Sequence, residues 1–179
     1  MKISRIIIQN YRNFESFDID LNEFSLIIGE NNIGKTNLLN ALGLIFSQEI
    51  TFFKRRALEI DDINYHAIDN FKHDVINPAV EIQNIRFVEV KIEVFLTDFL
   101  GKSKQEAVVA DWLIDETLST AKLTYHFSLR EDLTEWVKDI RKSGITDVDF
   151  PINKYDYLIY GGLDSTKQVD FYFLKMLKF

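Results

Sequence analysis

The sequence predicts an α/β fold: a mixed sheet with an antiparallel subsheet, and one helix buried against it. Three observations carry that prediction. Runs of β-branched, aromatic and aliphatic residues of strand length recur at 3–9, 14–21, 24–28, 88–96 and 123–129. A glycine-rich loop, Gly29-Glu30-Asn31-Asn32-Ile33-Gly34-Lys35-Thr36, stands between the third of these runs and an apolar stretch of helix length. The composition is that of a globular domain, with 179 residues, 46% hydrophobic, 27% charged, 7 Gly and only 2 Pro. A chain of this size buries roughly 70% of its extended surface, so a real core is possible.

The elements follow in order. Ile3 to Gln9 is β-branched and apolar, and in 14–21 Phe17, Ile19 and Leu21 alternate with Asp18 and Asp20. Asn22-Glu23 reads as a tight turn into a third strand over 24–28, which ends at Gly29. In 36–46, Leu38, Leu39, Ala41, Leu42, Leu44, Ile45 and Phe46 are apolar nearly all round, the pattern of a helix buried against a sheet. Residues 47–84 read as loop and short helix. The alternation of Val88, Val90, Ile92, Val94 and Leu96 with Glu89, Lys91 and Glu93 predicts a strand with one wet face. Leu123, Tyr125, Phe127 and Leu129 repeat the pattern, which favours antiparallel neighbours. Between these strands 104–118 can form a helix. Over 131–141 Leu133, Trp136, Val137 and Ile140 form a helical stripe stopped by Gly144. A short strand is expected over 155–160, and a last helix with Val169, Phe173, Met176 and Leu177 on one face.

Charge and cysteine content narrow the function classes. The formal net charge of −7 argues against a wholly cationic nucleic-acid-binding surface but leaves room for a local basic patch. There is no cysteine, so a disulfide framework and Cys-ligated zinc are excluded, and a reducing cytoplasm is the expected location. The apolar stretches are short for a membrane span, and the opening residues read as a strand rather than a signal peptide.

The loop at 29–36 carries the chemistry. It matches G-x-x-x-x-G-K-T, in which glycines let the backbone close round phosphates and present its N–H groups as donors. The helix that follows points its positive end at the same anion. Lys35 is expected to reach the β- and γ-phosphates of a nucleotide, and the Thr36 hydroxyl to ligate Mg²⁺. Strand before and helix after are the context this mechanism requires.

Two strands precede the loop, joined through Asn10-Tyr11-Arg12-Asn13-Phe14. That opening, an acidic-apolar strand and then Leu26-Ile27-Ile28-Gly29-Glu30-Asn31-Asn32-Ile33-Gly34-Lys35-Thr36-Asn37 together resemble the N-terminal ATPase segment of the RecF, SMC and OLD group, most of all the OLD-family ATPases. The detailed resemblance covers residues 1 to about 46. It implies a P-loop NTPase fold, the N-terminal lobe of an ABC-type ATPase head, with ATP and Mg²⁺ as cofactors. It implies phosphate contacts from Arg12 and Asn13, from the loop residues Gly29, Asn31, Asn32, Ile33 and Gly34, and from Lys35, Thr36 and Asn37. It further implies a head that dimerises on ATP, DNA as a partner of the full assembly, and a role in DNA repair or phage defence, with a nuclease elsewhere in OLD proteins.

The chain also departs from that pattern. The group's Walker B strand ends in Asp-Glu, whereas Val94-Phe95-Leu96-Thr97-Asp98 has one acid on an alternating strand and reads as structural. Tyr160-Gly161-Gly162-Leu163-Asp164 shares only its glycine pair with the Leu-Ser-Gly-Gly signature and reads as a turn. Residues 1–179 are therefore expected to be a first lobe that lacks the Walker B lobe, with little hydrolysis of its own. Two alternatives stand beside this reading. One is a non-catalytic nucleotide-binding regulatory module; the other is a GTPase using Asn153-Lys154-Tyr155-Asp156, which matches N-K-x-D but follows a poor strand broken by Pro151. Lys54-Arg55-Arg56 reads as a solvated patch rather than a DNA contact, and Asp61-Asp62 as a helix N-terminus rather than a metal pair. His66 and His73, seven apart, are expected neither to share a helix face nor to make a metal spacing.

Overall fold

The structure is a computed structural model that describes residues 1–23, 25–26, 34–46, 57–167 and 169. Five strands form one sheet in the order β2-β1-β3-β4-β5. They are β1 (Lys2–Tyr11), β2 (Phe14–Asp20), β3 (Val90–Thr97), β4 (Ala121–Leu129) and β5 (Tyr155–Gly161). All four pairings are antiparallel. The sequence expectation of a mixed sheet turned on the run at 24–28, most of which lies outside the described residues. Ser25 and Leu26, the two described members of that run, are exposed and carry no strand pairing.

The alternation in the sequence maps onto the two faces of the sheet. Ile6 and Ile8 stand beside Val94 and Ile92, which stand beside Leu123 and Tyr125, and all six are buried. The other face carries Arg5, Lys91, Glu93, Lys122 and His126, with Lys122 paired to Glu93 at 2.8 Å. On the outer edge of β5 the backbone continues the ladder, Gly161 N–H to Lys167 O at 3.0 Å and Val169 N–H to Ile159 O at 3.0 Å.

Helix α1 (Lys35–Phe46) adds Leu38, Ala41 and Ile45 to the core. The apolar residues all round α1 do not translate into burial all round. An element lying on a sheet buries one stripe, here i, i+3 and i+7, and Leu39 stands 66% exposed. Within 47–84, described from residue 57 on, the structure holds a full helix, α2 (Tyr65–Ile76), capped by the Asn64 side chain, which accepts from His66 N–H. The helix expected over 104–118 is shorter: α3 (Ser103–Val109) passes into a 3-10 turn at Ala110–Trp112. Two local demands end it. Trp112 turns into the core against Gly161, which leaves no room for a Cβ there. Asp115 gathers the backbone N–H groups of Ser119 and Thr120 at 2.9 and 3.1 Å, fixing a loop instead of a further helical turn.

Helix α4 (Thr134–Ser143) ends at Gly144, in the left-handed conformation at φ 69°. It packs on α2, with the Phe71 and Trp136 rings stacked at 6.3 Å. Arg141 of α4 donates to the Val75 and Asp74 carbonyls at 2.9 and 3.0 Å, satisfying the C-terminal turn of α2. The expected last helix and Lys54-Arg55-Arg56 lie outside the described residues, apart from Val169. No helix among the described residues is long and apolar enough to cross a membrane.

Candidate functional site

The turn between β1 and β2 holds two of the four non-glycine residues with positive φ among the described residues. Asn10 and Arg12 both have positive φ, 54° and 48°. Each such residue that is not glycine costs on the order of 1 kcal/mol or more, so the surroundings must hold it. They do so from a segment fifty residues away. The Arg12 N–H donates to Asp62 O at 2.9 Å, and the Asn64 N–H to Asn10 O at 2.9 Å. The Asn64 side-chain amide donates to Arg12 O at 2.8 Å. Between the two left-handed residues Tyr11 makes an antiparallel bridge with Ile63.

The same turn meets the start of α1. The Arg12 guanidinium donates through Nε and Nη2 to Asp62 Oδ1, at 2.9 and 2.7 Å, and through Nη1 to Asn37 Oδ1 at 2.9 Å. The Asn37 amide donates in turn to Asn13 Oδ1 at 2.7 Å. Asn13 Nδ2 sits 2.7 Å, and a Phe14 ring carbon 3.1 Å, from where a Cβ on Gly34 would stand, and Gly34 itself has φ 107°. The backbone conformation thus favours glycine there, and the side chains of the turn fill the space a Cβ would take. Leu38 N–H to Gly34 O at 2.8 Å starts the helix immediately, so its first turn opens beside Arg12.

Electrostatics keep this corner cationic at Arg12. Burial works against the Arg12 charge, but the Asp62 carboxylate outweighs it and holds the guanidinium pKa above its ordinary value. Burial pushes the Tyr11 phenol up to about 12, so it stays neutral beneath the arginine, whose guanidinium lies 5.4 Å from the ring centre. An open cavity of about 720 Å³ lies over Arg12, Asn13, Asn37, Glu59, Asp62 and Tyr65. That is within the usual size of a small-ligand site.

Of the residues picked out in the sequence, Arg12, Asn13, Gly34, Lys35, Thr36 and Asn37 come together at this corner. Lys35 is half-buried and Thr36 exposed on the first turn of α1. Gly29, Asn31, Asn32 and Ile33 lie outside the described residues. Asp62 and Asn64 are the members that sequence reasoning missed. Asp61-Asp62 form a 3-10 turn with Ile60 ahead of the Asn64 cap, and Asp62 serves Arg12.

The competing motifs lie elsewhere or in the wrong order. Lys2 pairs with Thr97, so Asp98 sits at the opposite end of β1 from Arg12, about 30 Å away at strand rise. Its carboxylate pairs with Lys102 at 3.1 Å. In N-K-x-D, Asn153 and Lys154 lie in a 3-10 turn before β5 and Asp156 lies inside the strand, whereas guanine reading needs them after one. Lys154 pairs with Glu131, and Asp156 accepts from Tyr157 N–H. His66 and His73 do share a face of α2, contrary to the sequence expectation, because seven residues make nearly two turns. They are roughly 10 Å apart along the axis, too far for one metal. No cluster of three His, Asp or Glu suited to a metal occurs among the described residues.

The profile of the AAA ATPase domain matches residues 1–156. Endonuclease GajA of Bacillus cereus is 38% identical over 84 residues, 47% of this chain and 14% of that protein. The DNA replication and repair protein RecF of Actinobacillus pleuropneumoniae is 49% identical over 43 residues, 24% of this chain and 12% of that protein. RecF of Vibrio campbellii is 48% identical over 46 residues, 25% of this chain and 13% of its own length. The matched stretches span about a seventh or less of these relatives.

Proposed function

The chain belongs to the AAA ATPase domain family, and from that premise we propose that residues 1–179 form the ATP-binding N-terminal lobe of an OLD- or RecF-like, DNA-associated ATPase. The observation that carries the reading is the docking of the Arg12–Asn13 turn on Gly34, which gathers Arg12, Lys35, Thr36 and Asn37 round the first turn of α1. An anion at that helix end meets backbone donors, the helix dipole and a guanidinium together. Lys35 and Arg12 then hold the phosphates, and Asn37 fixes the guanidinium.

The Thr36 hydroxyl is a hard oxygen donor on the exposed side of α1, which suits Mg²⁺. When bound, Mg²⁺ neutralises charge on the β- and γ-phosphates. The carboxylates that complete its coordination and orient water are assigned to a second lobe, since Asp62 is engaged with Arg12 and Asp98 lies across the sheet. The named roles of the relatives, an endonuclease and DNA replication and repair proteins, support DNA as the partner of the whole assembly. ATP-driven pairing of two heads in the cytoplasm, with an output in repair or phage defence, completes the proposal.

Equilibrium binding of a fluorescent ATP analogue to the 179-residue chain tests it. Wild type binds weakly, ATP competes better than GTP, and Lys35→Ala abolishes the signal. Multi-turnover hydrolysis by the 179 residues alone, or tighter competition by GTP, contradicts it.

A further inference from the structure

We propose that Asp62 and Asn64 are the positioning residues of the phosphate site, Asp62 aiming the Arg12 guanidinium and Asn64 locking the Arg12 backbone. The inference rests on the ATP-site reading above and adds to it two residues from outside the glycine-rich loop. Arg12 adopts a backbone conformation that L-residues avoid, at φ 48°, and so does Asn10 at 54°. Strain of this kind persists only where neighbouring structure over-determines it. Here three hydrogen bonds between 62–64 and the backbone of the two residues fix the turn: Arg12 N–H to Asp62 O, Asn64 Nδ2 to Arg12 O, and Asn64 N–H to Asn10 O.

The side chains divide the work. Asp62 uses one oxygen, Oδ1, for both Nε and Nη2 of Arg12. Its other oxygen accepts from Glu59 N–H at 3.1 Å, which ties the carboxylate to its own 3-10 turn. A guanidinium has five N–H groups. Three are used by Asp62 and Asn37, leaving one on Nη1 and one on Nη2 without a partner among the described residues. The guanidinium that carries them is held by Asp62 and Asn37 and lines the cavity beside α1, where free N–H groups suit phosphate oxygens. Asn64 is 3% exposed and serves two elements at once. Its Oδ1 caps α2 through His66 N–H, and its Nδ2 holds Arg12 O.

The division of labour makes the roles separable. Serine at 64 still caps a helix but lacks the second polar atom that holds Arg12 O, so Asn64→Ser spares α2 and releases the turn. Removing the Asp62 carboxylate gives opposite signs under two accounts. By charge alone, losing an anion near a phosphate site strengthens phosphate binding; by loss of aim, it weakens it.

The experiment measures the affinity of the 179-residue chain for the fluorescent ATP analogue in Asp62→Ala and Asn64→Ser, each alone and combined with Arg12→Ala. Each single variant is expected to weaken binding roughly five- to tenfold, the scale of one misplaced charge-assisted hydrogen bond. In the Arg12→Ala background neither adds more than about twofold, because both act through Arg12. Tighter binding by Asp62→Ala, wild-type affinity in Asn64→Ser, or losses that persist without Arg12 each overturn the proposal. Lys35→Ala separates the two levels. Its loss of binding alongside an unaffected Asn64→Ser sinks the positioning role and leaves the ATP site standing, whereas wild-type binding by Lys35→Ala sinks both.

Discussion

Among the described residues, two Arg–Asp pairs are partly buried, Arg12–Asp62 and Arg86–Asp74, and they are built differently. Arg86 grips Asp74 with both prongs, Nε to Oδ2 at 2.7 Å and Nη2 to Oδ1 at 2.8 Å, and its own N–H adds a third bond to Oδ2 at 3.1 Å. Asp74 is 5% exposed and its arginine 60%, so the charge at risk is the carboxylate. The pair ties the C-terminal turn of α2 to the chain entering β3. Arg12 and Asp62 are 33% and 21% exposed, share a single carboxylate oxygen, and involve a strained backbone. Asp74 is the saturated partner of the first pair, both oxygens taken by an arginine that stands mostly in solvent, and that pair serves stability. Arg12 is instead held on two sides, by Asp62 and Asn37, on a strained backbone beside a cavity, and that arrangement suits a ligand.

The largest expected effect breaks the stabilising pair. Arg86→Ala leaves the buried Asp74 carboxylate without its cation and is expected to lower the urea midpoint with ATP-analogue affinity unchanged. Arg12→Ala is expected to do the reverse. Binding weakens by about 2 kcal/mol, some thirtyfold, while stability changes by less than about 1 kcal/mol, because the pair is partly exposed and the backbone hydrogen bonds that hold the turn remain. A smaller effect is pH-dependent. The Arg86 hydrogen bonds hold the Asp74 carboxyl down at about 2 against the opposing push of burial. A depressed folded pKa gives stability that is complete above the ordinary value of 3.8 and drains away as pH falls toward 2. That loss is about 1–2 kcal/mol, measurable by urea unfolding at pH 5 and pH 2.5, and it disappears in Asp74→Ala.

How much of this was legible in the sequence follows from the range of each interaction. The strands were, because Ile92, Val94, Leu123 and Tyr125 alternate with polar neighbours and the sheet obeys that period. Gly144 stops α4 as its position implied. Of the residues gathered round the first turn of α1, Lys35 and Thr36 were singled out by motif spacing, and Arg12 and Asn37 through the family resemblance. Helix α2 was not, since Ile68, Phe71 and Val75 are its main apolar stripe and lie among polar residues such as Asp69, Asn70, Lys72 and His73. The signal that could have revealed it is Asn64 standing as a cap just before that stripe. Asp62 was out of reach for another reason. Its partner is fifty residues away, and no local period or propensity encodes a long-range pairing. The shortening of α3 has the same origin, in Trp112 seating against Gly161 across the fold.

The most direct test of the central claim is ATP-analogue affinity and urea midpoint measured side by side for Arg12→Ala and Arg86→Ala. Arg12→Ala is expected to lose affinity and keep its midpoint, and Arg86→Ala to lose its midpoint and keep affinity. Unchanged affinity in Arg12→Ala, with the midpoint falling in both variants, would contradict it by making both pairs structural.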